Sequence, residues 1–165
     1  MKTSLTLRIL TATIALMLGS TLASAASAGP EDTVKAYNAA FSAKDKDAVV
    51  ATLAEGGAQF TLRSQHEEAP PESLQSEISA YWSLIAPVLF ASTSSYQREI
   101  EITDAKASGD IATVWTNSKI SSTRLGSDEV SVNEFTEIYL LIRTADGWKI
   151  AAIADNRKAT KLAED

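Results

Sequence analysis

An α+β domain is what the sequence predicts, with helices in front covering one face of a curved antiparallel sheet behind. Three observations carry that expectation. Apolar residues before Pro87 recur at helical spacing, the period drops to two beyond it, and the alternating stretches are divided by Gly and Asp turn signals.

Pro30 followed by Glu31 and Asp32 is a helix start, because the missing proline N–H would be unpaired there anyway and the acids face the positive end of the dipole. The predicted helix runs to about Ala43, with Val34, Tyr37, Ala40 and Phe41 on one buried stripe. Lys44-Asp45-Lys46-Asp47 interrupts the stripe, and Asp45 is placed to cap a second helix carrying Val49, Val50 and Leu53, which Gly56-Gly57 ends. Ala58 to Arg63 reads as a short strand, and Ser64 to Pro71 as a polar loop containing His66, Glu67 and Glu68. A third helix opens at Pro71-Glu72, spaces Leu74, Ile78, Tyr81, Trp82 and Ile85 helically, and stops at Pro87. Tyr96 to Ala105, Ile111 to Ser122, Val130 to Arg143 and Trp148 to Asp155 then read as four strands of an antiparallel meander.

The amino terminus is expected to be a cleaved secretory signal. Lys2 and Arg8 precede the apolar run Ile9 to Leu18, which Gly19, Ser20 and Thr21 end well short of the roughly 20 residues a membrane-spanning helix needs. Small residues at Ala23-Ser24-Ala25 and Ala26-Ser27-Ala28 suit a signal peptidase, so cleavage after Ala25 or Ala28 fits equally well. The expected organisation is a signal at 1–25, a domain at 29–157 and a polar tail at 158–165, with a periplasmic or secreted location.

Removing Lys2 and Arg8 takes the basic count from 15 to 13 against 21 acids, a net charge of −8. Phosphate backbones and anionic lipids select clustered Lys and Arg, so neither nucleic acid nor membrane is an expected partner of the mature chain. With no cysteine there is neither a disulfide framework nor a thiolate nucleophile. One histidine and no cysteine do not make a zinc or iron site, and no phosphate-binding glycine loop, nucleophile elbow or HExxH motif occurs. No metal and no cofactor is expected.

The stretch Val34 to Val49, with Leu53-Ala54-Glu55 and Ala58, resembles the opening of the nuclear-transport-factor-2-like superfamily. Gly109 to Trp115, Phe135 to Tyr139 and Asp146-Gly147-Trp148-Lys149-Ile150 look like the later strands of its SnoaL-like branch. The resemblance implies a cone-shaped fold, three helices packed on a curved antiparallel sheet with a pocket between them. It does not choose a function, since members range from isomerases and cyclases to binding and assembly modules.

Strand parity supplies candidate ligand-binding residues. Thr113, Trp115, Asn117 and Lys119 share one face of their strand, and Trp115 beside Asn117 suits a pocket wall, an aromatic surface next to a hydrogen-bonding amide. The alternative is a Trp packed under a helix. By the resemblance, Tyr37 stands where ketosteroid isomerases carry a helix tyrosine and Glu137 near their second acid. Their base position falls around Thr61 or Leu62, neither of which abstracts a proton. His66, the one histidine, is the side-chain type suited to carrying a proton near neutral pH, but its neighbours in sequence read as a solvated loop. Asp155 shares parity with Lys149, Ala151 and Ile153, a face that the resemblance turns into the cone. Trp82 and Tyr81 resemble aromatic residues that close the cone mouth. The leading expectation is a small, largely apolar ligand in the cone, touched by Tyr37, Trp82, Trp115 and Asn117. The alternatives are an isomerase, cyclase or hydrolase using Asp155, Glu137 or His66, and a module that dimerises through its sheet.

Overall fold

The computed structural model describes residues 28–62 and 74–157. The expected signal segment, the predicted polar loop from Ser64 to Pro71 with His66, and the tail from Lys158 therefore lie outside the described residues. In chain order the elements are α1 (Pro30–Ser42), α2 (Lys46–Ala51), β1 (Leu53–Thr61), β2 (Leu74–Ser76), α3 (Ile78–Ser92), β3 (Thr93–Ser108), β4 (Ile111–Arg124), β5 (Val130–Thr144) and β6 (Gly147–Asp155).

Local chemistry sets the helical hairpin. The backbone N–H of Gly29 donates to Asp32 Oδ2 at 3.0 Å, which fixes the entry to α1, and its stripe of Val34, Tyr37, Ala40 and Phe41 is buried as its spacing predicts. Asp45 caps α2 by accepting from the Ala48 N–H at 3.0 Å. Between the two helices Lys44 adopts φ 55°, and its ammonium reaches the carbonyls of Phe90 and Thr93 at the end of α3. That helix has no basic residue in its own last turn, so a lysine from another element balances its negative end.

The strands form one sheet in the order β2-β1-β6-β5-β4-β3. The meander β3-β4-β5-β6 is antiparallel as expected, whereas β1 joins β6 in parallel. Three boundaries differ from the sequence reading. Leu53 and Gly56-Gly57 belong to β1, not to a helix and its stop, because both glycines take positive φ and Gly57 lies against the Ala151 carbonyl, where a Cβ would come within 2.6 Å. Leu74 lies in the short strand β2, which pairs with Ala58–Phe60, so α3 begins only at Ile78. Pro87 does not end α3: the proline is exposed, and Trp82, Ala86, Leu89 and Phe90 around it pack on the core and carry the helix across the missing hydrogen bond.

The core lies between helices and sheet. Phe41 of α1 is its hub, with ring centroids at 5.0 Å from Tyr37, 4.8 Å from Trp82 and 6.0 Å from Phe90, all three edge-on. Val114, Tyr139, Leu141, Ile150 and Ile153 close it from the sheet.

Candidate functional site

The floor of the cone is polar, and its residues come from four elements. Register places Thr116 and Ser118 of β4 beside Glu137 and Phe135 of β5, with Arg98 of β3 facing the same interior and Asn38 of α1 above them. The Arg98 and Glu137 side chains are only 2% and 1% exposed. Arg98 Nη2 donates to both Glu137 oxygens at 2.8 Å, and its Nε donates to Asn38 Oδ1 at 2.7 Å. Ser118 Oγ and the Tyr139 hydroxyl each donate to Glu137 Oε2 at 2.7 Å, and Asn38 Nδ2 donates to the Val34 carbonyl at 2.8 Å and to the Tyr139 oxygen at 3.2 Å.

The electrostatics follow from that arrangement. Burial pushes the Glu137 carboxyl up, but the Arg98 charge and the donors from Ser118 and Tyr139 outweigh it and hold the group below the usual carboxylate range. Burial works against the Arg98 charge in turn, and Glu137 more than restores it. Burial, then the neighbouring Glu137 charge, raises the Tyr139 hydroxyl. Glu137 is thus a locked anion that accepts hydrogen bonds and holds no proton to give.

Beside this network Arg157 closes a second pair. Its Nε donates to Asp155 Oδ2 at 2.9 Å, its backbone N–H donates to Asp155 Oδ1 at 3.2 Å, and Nη2 stands 3.8 Å from Glu137 Oε1. Arg157 also reaches a cavity of about 170 Å³ at the cone mouth, lined by Gln59 and Thr61 of β1, Gln75 of β2, Tyr81 and Trp82 of α3, and Arg157 itself. The Trp82 indole N–H donates to Gln59 Oε1 at 3.0 Å and ties helix to sheet at that mouth.

The structure brings some predicted residues together and separates others. Trp82 lines the mouth, while Tyr37, Glu137 and Asp155 are buried in the cone beneath it. The Tyr37 ring stands edge-on to Tyr139 at 6.0 Å, burial raises its hydroxyl's pKa, and among the described residues that hydroxyl has no hydrogen-bond partner. Trp115 and Asn117 share a face as parity requires, but it is the outer face of the sheet and not the cone wall. Trp115 is 41% exposed, and the cone side of β4 carries Val114, Thr116 and Ser118, where Ser118 donates to the buried Glu137 and shares a hydrogen bond with Thr116. Asp155 does face the cone with Ile153, but Lys149 does not accompany them: a bulge at Ala151 shifts the register between Leu140 and Leu141 and moves Trp148 and Ile150 to the inner side instead.

Arg98, Asn38 and Ser118 were not among the residues sequence reasoning singled out, whereas a strand-end pairing of Asp155 with Arg157 or Lys158 was its alternative reading of Asp155, and the Arg157 pair is present. For Arg98 a signal exists, since it falls at the same parity as Tyr96, Ile100 and Ile102, a charge on an apolar stripe. On the outer face a broad groove of about 590 Å³ is lined in part by Glu99, Glu101, Asn117, Lys119 and Glu134. Among the described residues no group of three or more His, Cys, Asp or Glu side chains is gathered to hold a metal ion.

No family model matches the chain, and no curated protein matches it in sequence. Solved structures do. A ketosteroid isomerase-like protein from Erwinia carotovora atroseptica is 21% identical, with a TM-score of 0.60 over 78% of this chain and 93% of that one. A nuclear transport factor 2 (NTF2-like) superfamily protein from Salmonella enterica is 9% identical, with a TM-score of 0.61 over 81% and 92%. A conserved protein from Planctomyces limnophilus is 12% identical, with a TM-score of 0.61 over 78% and 92%. The chain has the NTF2-like cone fold. Identities this low establish architecture, while chemistry has to be argued from the NTF2-like cone's own side chains.

Proposed function

We propose that this chain is a secreted binding protein that holds a small, largely apolar molecule at the mouth of its NTF2-like cone. The observation that carries the reading is the 170 Å³ cavity where the Trp82 and Tyr81 rings meet the amides of Gln59 and Gln75. An aromatic surface beside placed polar groups suits a small-molecule site, and here two rings face the polar side chains of Gln59, Thr61, Gln75 and Arg157. The comparison with a ketosteroid isomerase-like protein invites an isomerase reading, but a general base has to be able to take a proton from substrate. Glu137 is saturated by Arg98, Ser118 and Tyr139, and Asp155 is held by Arg157, so neither carboxylate stands ready for that task. Binding is therefore preferred to catalysis by Glu137 or Asp155.

Thermal-shift titration of the mature chain with small ring compounds tests this, using Thr61→Phe to fill the mouth. The reading expects a ligand that raises the melting temperature of the wild type and loses that effect in a folded Thr61→Phe protein. A ligand equally effective on both would place the site elsewhere. Secretion rests on the amino-terminal run alone, and intact-mass analysis of exported protein should find a first residue of Ala26 or Gly29. Retention of Met1 to Ala25 would contradict it.

A second reading, self-association, is favoured by one observation. On the outer face Ile111 stands opposite Ile142, Thr113 opposite Leu140, and Trp115 opposite Ile138, so exposed Ile111, Trp115, Leu140 and Ile142 form one apolar patch.

A further inference from the structure

We infer that the molecule held at the cone mouth carries an anionic head, a carboxylate in its simplest form, that docks on Arg157 while its ring lies against Trp82 and Tyr81. This rests on the proposal that the mouth is a ligand site. Among the described residues lining the cavity, Arg157 alone carries a formal charge. The acids that pair with it, Glu137 and Asp155, are buried and are not among the described residues lining the cavity. Among the described residues, a molecule entering the mouth meets one cation, two amides, two hydroxyl-bearing side chains and an indole, and no carboxylate.

Two features prepare this wall for an acceptor. The Nε and Nη2 edge of Arg157 is pinned to Asp155, which holds the guanidinium plane in place and lowers the ordering cost of a second contact, while 28% of the side chain stays accessible. Gln59 has its oxygen committed to the Trp82 indole, so the end of its amide left for a ligand is the donating NH2. Asp155, with Glu137 3.8 Å away, offsets part of the Arg157 charge, so the expected preference for an anion is moderate, about tenfold, and not absolute. Size limits the body. An engineered apolar cavity of about 150 Å³ holds benzene, so this one, at about 170 Å³, suits a single ring with a small head.

Calorimetric titration at low salt with benzoate, benzamide and benzylammonium reads the charge preference at nearly constant shape. Wild-type protein should bind benzoate at least about tenfold more tightly than benzamide, with benzylammonium weakest. In the double variant Asp155→Asn/Arg157→Gln, which removes both members of the pair and leaves no buried charge alone, that advantage should vanish. Equal binding of the three by the wild type, a preference for benzylammonium, or a benzoate advantage that survives the double variant overturns the inference. If benzamide binds and Thr61→Phe abolishes its binding, yet benzoate gains nothing, the anionic head falls and the mouth remains a ligand site. If none of the three binds, or Thr61→Phe leaves their binding intact, the mouth itself falls and this inference with it.

Discussion

Arg98 and Glu137 show what a buried ion pair does in this molecule. Each charge is expensive to desolvate, and the pair persists because Asn38, Ser118 and Tyr139 complete its hydrogen bonding. Removing one partner strands the other, so Glu137→Gln should cost about 3–5 kcal/mol in urea unfolding. Ser118→Ala removes one donor to a charged acceptor and should cost about 1.5–3 kcal/mol. The same pair sets an acid limit. Because the Glu137 carboxyl titrates lower in the folded chain than its ordinary 4.5, its stabilising contribution is present above that value and is lost as pH falls below it. Denaturation midpoints measured at falling pH should therefore drop more steeply for the wild type than for Glu137→Gln. This network was half legible in the sequence. Glu137 was reached by resemblance, and Arg98 was readable as a charge out of place on an apolar stripe. Thr116 and Ser118 were missed because parity alone does not say which face of β4 turns inward, and the aromatic Trp115 face was taken for the cone wall. Hydroxyls are ordinarily solvated, and a buried anion is what draws Ser118 inside.

The elements divide by how local their causes are. The stripe of α1, the Asp45 cap and the meander's turns are short-range chemistry, and all three were legible. Asp45→Ala should cost about 1 kcal/mol of stability, the common value of an N-cap. What escaped depends on distant partners. Gly56-Gly57 has the appearance of a helix stop, and only the approach of Ala151 from β6 explains why it belongs to a strand. Gly57→Ala should accordingly cost more than about 1 kcal/mol, since it combines a positive φ with a Cβ that meets a backbone carbonyl. A Gly56→Ala control, with positive φ but open space around its Cβ, should cost less in the same urea titration. The Ala151 bulge likewise has no local marker, and it reassigns the inner face of β6 halfway along the strand.

At the scale of the whole molecule the cone has two surfaces of different character, a mouth bounded by β1, β2 and α3 and an outer sheet face bearing Trp115. A stable two-fold interface buries roughly 800 Å² per partner, and the apolar patch on β4 and β5 is where such contact would centre. If the chain pairs there, sedimentation should show a dimer that Leu140→Glu converts to a monomer, and an unchanged sedimentation coefficient would dismiss that face. The three tryptophans, Trp82, Trp115 and Trp148, stand at the mouth, on the outer face and in the core, so each reports on a different part of the cone. The most direct test of the binding account is therefore their indole N–H resonances, followed by two-dimensional NMR during titration with a small ring compound such as benzoate. The account predicts that the Trp82 signal, whose N–H donates to Gln59, moves in a saturable way while the Trp115 signal stays fixed. A Trp115 signal that moves while Trp82 stays still would put the ligand on the outer face and contradict the account.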